Sequence, residues 1–461
     1  MIQVFSFGST PQERKSSFWL LLIGMFSMTQ ISVVGSIGIS ELFCFLLAPM
    51  LFLFDYQALR HDGFMPAVVL SLLAIVGCCI SSAVNHSPQP AFLRGFAATY
   101  SVFAFLVVHH RLLRNNLGGL KWFLLGVCLS NVINVFVFQR AVETYVVGGV
   151  ASSEAKAAAV VSGVLFWLNR VGPFLTLPAR GWYLQTPTII AVGSAMIMPI
   201  YTMATTDTGR SATAVAAGAV LLLVIARRKI SAMRAIQRHF LLLAIAGLVL
   251  CVLLKDGYKF LAENGYLNER AARKYEGQMM GRSKKDLVGM LLGGRTEFFG
   301  GIYAAAKNPL VGYGPWAVDT EGIYRDFVAR YGDWEDAEKF QREFLWNMQM
   351  GRYGLLPAHS HIVGFWVHYG ILGGVFWIYV LWLIYKLLRR NLVAIPQWYG
   401  FFAFTACSAL WDIFFSPYSQ RVGMPFFIVA LLIADAVRCG KIRLPPLMAD
   451  EITRLGSCGR C

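Results

Sequence analysis

"WVHYGILGGVFWIYVLWLIYKL", residues 366–387, contains a single charged side chain, Lys386, which stands next to its end. At 1.5 Å of rise per residue a helix of this length covers about 33 Å, the thickness of the hydrocarbon core of a bilayer. The rest of the chain has the same character. Of 461 residues, 57% are hydrophobic and 14% charged, whereas soluble domains average about 25% charged. An integral membrane protein is expected.

Working outward from this run, further apolar stretches of suitable size lie near 18–34, 37–54, 64–84, 95–109, 121–138, 188–205, 211–226, 239–254, 399–415 and 423–438. Arg14 and Lys15 precede the first, with no small-residue cleavage site after it, so it reads as a retained span and not a removable signal peptide. Residues 155–168 are a weaker candidate, about 21 Å long if helical.

Basic residues decide whether that segment counts. Short loops rich in Lys and Arg stay in the cytoplasm. Three such clusters are Arg227, Arg228, Lys229, Arg234 and Arg238; then Lys386, Arg389 and Arg390; then Arg438, Lys441 and Arg443. Arg14/Lys15 and the loop with Arg111, Arg114 and Lys121 belong with them. Without a crossing at 155–168 the early and late clusters would fall on opposite faces; with it they fall on one. The predicted fold is therefore an all-α integral membrane protein of about 12 transmembrane helices. Residues 1–254 form helices 1–9, 255–358 a large loop facing away from the cytoplasm, 359–438 helices 10–12, and 439–461 a cytoplasmic tail.

This arrangement accounts for the formal charge of +16. The loop 255–358 has 15 basic and 14 acidic residues, so nearly all of the excess lies elsewhere, mostly in segments placed in the cytoplasm. It reads as the positive-inside pattern and not as a nucleic-acid surface. Cys44, Cys78, Cys79, Cys128, Cys251 and Cys407 sit within apolar runs, where a thiol serves as a small packing group. The terminal "CGRC" lacks the second pair that a zinc ribbon needs, so no metal is expected, and the loop has no cysteine to cross-link.

Three pieces of the loop and its exit carry chemistry. In "GGRTEFFGGIYAAAKNPLVGYGP" (293–315), Thr296–Lys307 reads as a helix ended by Asn308-Pro309. Arg295 then stands beside unpaired N–H groups at the positive end of the helix dipole, a ready anion site; equally, it can pair with Glu297 and hold the loop. Gly312 and Gly314 permit left-handed turns. In 331–350, Ala337, Phe340, Phe344 and Met348 recur at helical spacing with Asp333 as a cap, which fits an amphipathic helix on the membrane or one packed on its own loop. Last, "LPAHSHIVGF" (356–365) puts His359 and His361 at the entrance to the run that opened this section. On a helix His361, Phe365 and His368 share a face and His359 points elsewhere. Such a histidine either donates to a backbone carbonyl or, as a neutral imidazole, takes a proton. Arg210, in "TTDTGRSATA", caps the span 211–226 on the same side as the loop, and its planar fork suits phosphate.

Taken in order, "TGRS" at Arg210, "GR…NPLVGYG" at 294–314 and "HSH…YGILG" at 359–373 resemble the O-antigen ligase / O-antigen polymerase superfamily of bacterial envelope glycosyltransferases. The resemblance covers roughly the second half of the chain. It implies a multi-pass protein of the bacterial inner membrane with both termini cytoplasmic and a periplasmic loop. It further implies transfer of a glycan from a polyprenyl-pyrophosphate carrier to a hydroxyl of an acceptor glycan or of lipid A core, without cofactor or metal. Membrane lipid and other polysaccharide-export proteins would be its surroundings and partners. By the same resemblance Arg210 and Arg295 would bind the pyrophosphate, His361 would act as base with His359 beside it, and Gly312, Tyr313 and Gly314 would form a supporting loop. The family pattern has Asn after the second histidine and this chain has Ile362, which keeps His359 and His368 in play as the base. A glycosyl pyrophosphate already has a good leaving group, so a basic site with one titratable base suits the reaction. The competing reading is a polytopic transporter or lipid-linked glycan flippase, with Asp412 as its deepest ionisable candidate.

Overall fold

A computed structural model describes residues 10–27, 29–32, 36–136, 296–331, 355–356, 360–391, 395, 398–416, 418 and 422–442, with isolated positions at 197, 218–219 and 260. Ten α-helices organise them: α1 (Pro11–Met25), α2 (Ile39–His61), α3 (Met65–Val84), α4 (Gln89–Leu113), α5 (Leu120–Phe136), α6 (Thr296–Lys307), α7 (Ile323–Tyr331), α8 (His361–Lys386), α9 (Tyr399–Phe415) and α10 (Gly423–Arg438). Four of these, α2, α3, α4 and α8, are long and apolar enough to cross a membrane by length and composition, α8 being counted across a break at Gly370; 117–130 and Gly400–Phe415 are shorter apolar helices. The protein is a helical membrane protein.

The first span is corrected. The apolar run 18–34 is not one helix: α1 begins at Pro11, and the chain past Met25 turns into an antiparallel strand pair, Gln30–Ser32 with Ser36–Gly38. Local chemistry explains the shift. Thr10 and Glu13 form a capping box, with Glu13 N–H donating to Thr10 Oγ1 at 3.2 Å and Thr10 N–H to Glu13 Oε2 at 3.1 Å. Pro11 at the first helical position adds to this start. At 15 residues α1 is about 22 Å long, short for a crossing. It packs closely on α5 where Gly24 and Gly126 face each other and let the backbones approach.

Elsewhere the apolar runs sit where the helices are: 64–84 against α3, 399–415 against α9 and 423–438 against α10. The segments 155–168 and 239–254 lie outside the described residues, as do 188–205 and 211–226 apart from positions 197 and 218–219, and 332–350 of the expected amphipathic helix.

The described basic segments gather at one end of the bundle. Asn116 Nδ2 donates to Glu13 O and Ser17 Oγ, tying the start of α1 to the α4–α5 turn. Trp398 Nε1 donates to Leu117 O, which brings the start of α9 there. A Cβ on Gly63 would lie 3.4 Å from Lys441 Nζ, which brings the end of α10 to the α2–α3 turn. Lys386 at the end of α8 pairs with Asp435 of α10, itself bound by Arg438. Glu41, the acidic residue nearest the start of α2, accepts from Gly38 N–H as a cap and is 4% exposed. The core between the helices is aromatic and aliphatic, with Phe123 stacked on Phe426 and Trp377 and Trp398 fully buried.

The opening run 366–387 holds the largest departure from a plain span. Gly370 has φ 66° and ψ −159°, which breaks α8. Rings on either side of the break meet: His361 with Trp377 at 4.7 Å and Phe365 with Trp377 at 5.4 Å between centroids. In an unbroken helix residues 361 and 377 would stand about 24 Å apart. A Cβ on Gly373 would lie 2.6 Å from Phe365 O, and one on Gly374 would meet the Trp366 ring. The segment is thus a helical hairpin, a short arm 361–369 folded back on a long arm 371–386, with small residues at the contact so that the arms can touch.

Candidate functional site

The tip of this hairpin receives the loop that follows α6. After Lys307 the chain turns at Asn308, whose Nδ2 donates to Gly312 O at 2.7 Å. Gly312 has φ 74°, and a Cβ there would lie 2.7 Å from both Gly370 N and Val367 O, so only glycine fits. Three backbone bonds then lock loop to hairpin: Tyr313 N–H to Val367 O at 2.8 Å, Gly314 N–H to His368 O at 3.1 Å, and Ile371 N–H to Leu310 O at 3.3 Å. A broken helix exposes carbonyls that need donors where water is scarce. The loop supplies them.

Side chains complete the lock. Ser81 Oγ of α3 donates to His368 O at 2.8 Å and accepts from Gly314 N–H at 2.9 Å. Asn85 Nδ2 donates to Gly312 O at 3.1 Å, and Trp366 Nε1 to Pro309 O at 2.8 Å. His368 and Trp316 stack with an interplanar angle of 9° at 5.9 Å. Trp316 has φ 50°, a left-handed backbone uncommon outside glycine. Burial pushes the Tyr313 phenol up from its ordinary range. This assembly is at the end of the bundle opposite the basic segments, beside the α3–α4 turn, since a Cβ on Gly95 would run into Pro315 and Asn85 Nδ2 reaches Gly312 O.

The structure therefore brings together two of the three motif blocks. Gly312, Tyr313 and Gly314 dock on the segment that carries the histidines. His361 begins the short arm; Ser360 caps it by accepting from Val363 N–H at 3.1 Å and donates its own hydroxyl to Ile413 O at 2.7 Å. The His361 ring is 1% exposed, held against Trp377 and Tyr418. Phe365 shares these neighbours, whereas His368 turns to Gly314 and Trp316, so the expected common face divides into two environments. Helix α6 runs Thr296–Lys307 as expected, and Phe298 near its start packs on Phe414 and Phe415 of α9. The residues flanking Arg295 and those flanking His361 thus converge on one end of α9. Arg210, Arg295 and His359 themselves lie outside the described residues.

A second polar cluster went unnoticed in the sequence. Asp62, in the α2–α3 turn at the basic end, has a fully buried side chain that binds His110 Nε2 at 2.9 Å, His61 Nδ1 at 2.9 Å and Arg114 Nε at 2.7 Å. Burial works against its ionisation, but the hydrogen bonds from His110 and His61 and the Arg114 charge outweigh it and hold the carboxyl below its ordinary range. The only sequence signal was the occurrence of "RHD" and "HHRLLR" at the ends of neighbouring spans. On the loop side Asp326 of α7 binds Tyr303 at 2.6 Å, Lys307 at 3.0 Å and Arg330 at 2.8 Å, joining α7 to α6. Among the described residues no three His, Cys, Asp or Glu side chains gather as metal ligands.

The chain matches no protein-family model, no curated protein and no solved structure. Its class follows from its own architecture: a helical membrane protein with a broken, re-folded helix closed by an inserted glycine-rich loop.

Proposed function

We propose that the protein is a membrane glycosyltransferase that moves a glycan from a polyprenyl-pyrophosphate carrier to an acceptor hydroxyl, as a polysaccharide polymerase or O-antigen ligase. One observation carries the reading: the "NPLVGYG" loop and the "HYGILG" hairpin, more than fifty residues apart in the chain, interlock through main-chain bonds. These are two of the blocks on which the family resemblance rests, and the His368 imidazole stands beside the loop, which is led in by the helix that follows Arg295.

In this reading the chain crosses a bacterial inner membrane about 12 times with both termini in the cytoplasm. The loop 255–358 is periplasmic, and the described basic segments mark the cytoplasmic end. Arg210 and Arg295 neutralise the pyrophosphate as the glycosyl bond breaks. An imidazole of the 359–368 segment takes the proton of the attacking hydroxyl. Neither metal nor cofactor enters the reaction.

One observation favours a second reading. Discontinuous membrane helices also build the binding sites of secondary transporters, and α8 is discontinuous at Gly370. A flippase for lipid-linked glycans would use the same break as a hinge.

The deciding experiment mixes purified protein in nanodiscs with a polyprenyl-pyrophosphate oligosaccharide, with and without lipid A core. A ladder of lengthened lipid-linked glycans identifies a polymerase, and transfer only in the presence of core identifies a ligase. No transfer by folded protein, with the intact lipid-linked glycan crossing a vesicle membrane, would overturn the proposal in favour of the flippase.

A further inference from the structure

Within the glycosyltransferase reading, the geometry points to His368, in place of His361, as the base that takes the acceptor proton. This inference rests on that reading.

The tautomer of His368 is set by its surroundings. Its Nδ1 meets the Gly314 carbonyl oxygen at 3.0 Å. A carbonyl only accepts, so Nδ1 bears the hydrogen and Nε2 keeps the basic lone pair. The Gly314 carbonyl is itself held, because the same residue's N–H is bound by His368 O and Ser81 Oγ. The ring is further clamped by the parallel Trp316 indole. The half-buried imidazole thus has fixed orientation and fixed tautomer, and no partner for Nε2 occurs among the described residues. Trp316, which carries the stacked indole, has a left-handed backbone, and such strain collects at working sites.

His361 differs. Its ring is 1% exposed, against Trp377 and Tyr418, so a hydroxyl on a bulky glycan has no path to it in this arrangement. Its surroundings suit a structural role at the start of the short arm. Because the hairpin folds the chain back at Gly370, it is His368, near the tip, that stands at the loop-covered end of the bundle.

In the proposed step the acceptor O–H gives its proton to His368 Nε2 as the oxygen forms a bond to the anomeric carbon. The bond from that carbon to the pyrophosphate oxygen breaks, and the polyprenyl pyrophosphate leaves with the electron pair. The imidazolium then returns its proton to solvent.

Histidine-to-asparagine substitution separates base from scaffold. Asn at 368 places its Nδ2 near the position of Nδ1 and can still donate to Gly314 O, but nothing replaces Nε2. We would measure glycan transfer from polyprenyl pyrophosphate against pH for the wild type, His368→Asn and His361→Asn, with hydrogen exchange over 308–318 as the check on loop docking. The expected result is a rate for His368→Asn reduced about 10²–10⁴-fold with loop docking intact, and loss of the acidic limb of the pH profile. His361→Asn should keep that limb. An active wild type whose His368→Asn variant retains rate and acidic limb overturns the base assignment and leaves the glycosyltransferase reading standing. A folded wild type that transfers no glycan under any condition overturns the reading, and the base assignment with it.

Discussion

His361 and Trp377 stand sixteen positions apart in one helical segment, yet their rings lie 4.7 Å apart. Only a reversal of the chain between them permits this, and Gly370 supplies it. Spin labels at Ile362 and Ile378 test the relationship. A continuous helix would hold those backbones about 24 Å apart; the hairpin should give a much shorter distance by pulsed electron resonance.

Gly370→Ala attacks the reversal itself. The new Cβ would be forced against Leu310 O on a backbone that L residues disfavour. Left-handed strain costs about 1–3 kcal/mol before any clash is counted. A lower thermal midpoint in detergent and faster amide exchange at Tyr313 and Gly314 are expected. Unchanged exchange there would show that the loop does not depend on the glycine.

Ser81→Ala removes one hydroxyl that serves both a carbonyl and an amide across the loop–hairpin contact. Losing a partner from buried polar groups costs about 1–3 kcal/mol. The effect should be local, with exchange rising over 310–316 while the α2–α4 packing keeps its protection. A midpoint within error of wild type would argue against this lock.

Asp62→Ala leaves His110 and Arg114 facing an apolar gap. Breaking a buried charged contact by removing one partner costs about 3–5 kcal/mol. The pH dependence has a definite sign. The Asp62 carboxyl is held below its ordinary value, so its contribution is present above the unfolded carboxylate range, near 4, and fades as pH falls through the folded value. Acid unfolding of wild type followed by circular dichroism should show this loss, and Asp62→Asn should flatten it.

The α6–α7 contact is bounded at both ends of the pH scale. Hydrogen bonds from Tyr303, Arg330 and Lys307 hold Asp326 well below the carboxylate range, while the bond to Asp326 raises Lys307 above its ordinary value. The Asp326 contribution is lost as acid protonates it, and the Lys307 contribution as alkali removes its proton. Both groups face solvent, so the effect is small and screened by salt. Protection factors over 323–331, with the intrinsic pH dependence of amide exchange divided out, should be highest near neutrality and fall in Asp326→Asn; protection that does not change with pH in wild type would refute the coupling.

Much of this architecture was legible from residue order alone, because the information is local. Unbroken apolar runs must leave water, into lipid or into the packed core, and this located α3, α9 and α10 to within a residue or two. Asn308-Pro309 ends a helix by its own sterics, and Thr296–Lys307 stopped where expected. Gly312 and Gly314 were marked as turn residues because only glycine accepts a left-handed backbone without strain, and both have positive φ. The start of α1 was missed because a hydropathy window weighs apolar content, while Thr10 and Glu13 set the helix end through polar caps.

Tertiary structure alone decided the rest. Gly370 reads as an ordinary glycine in a span, and nothing local says that the chain reverses there; the reversal exists because Leu310, Tyr313 and Gly314 satisfy the backbone groups it frees. The division of roles between His361 and His368 has the same origin. Both are histidines at helical spacing in one segment, and their difference lies in partners brought from far along the chain, Tyr418 for one and Gly314 and Trp316 for the other. Asp62 likewise found its buried partners 48 and more residues away. Composition and periodicity fix what must leave water; which polar groups meet once it has left depends on the packing of distant segments.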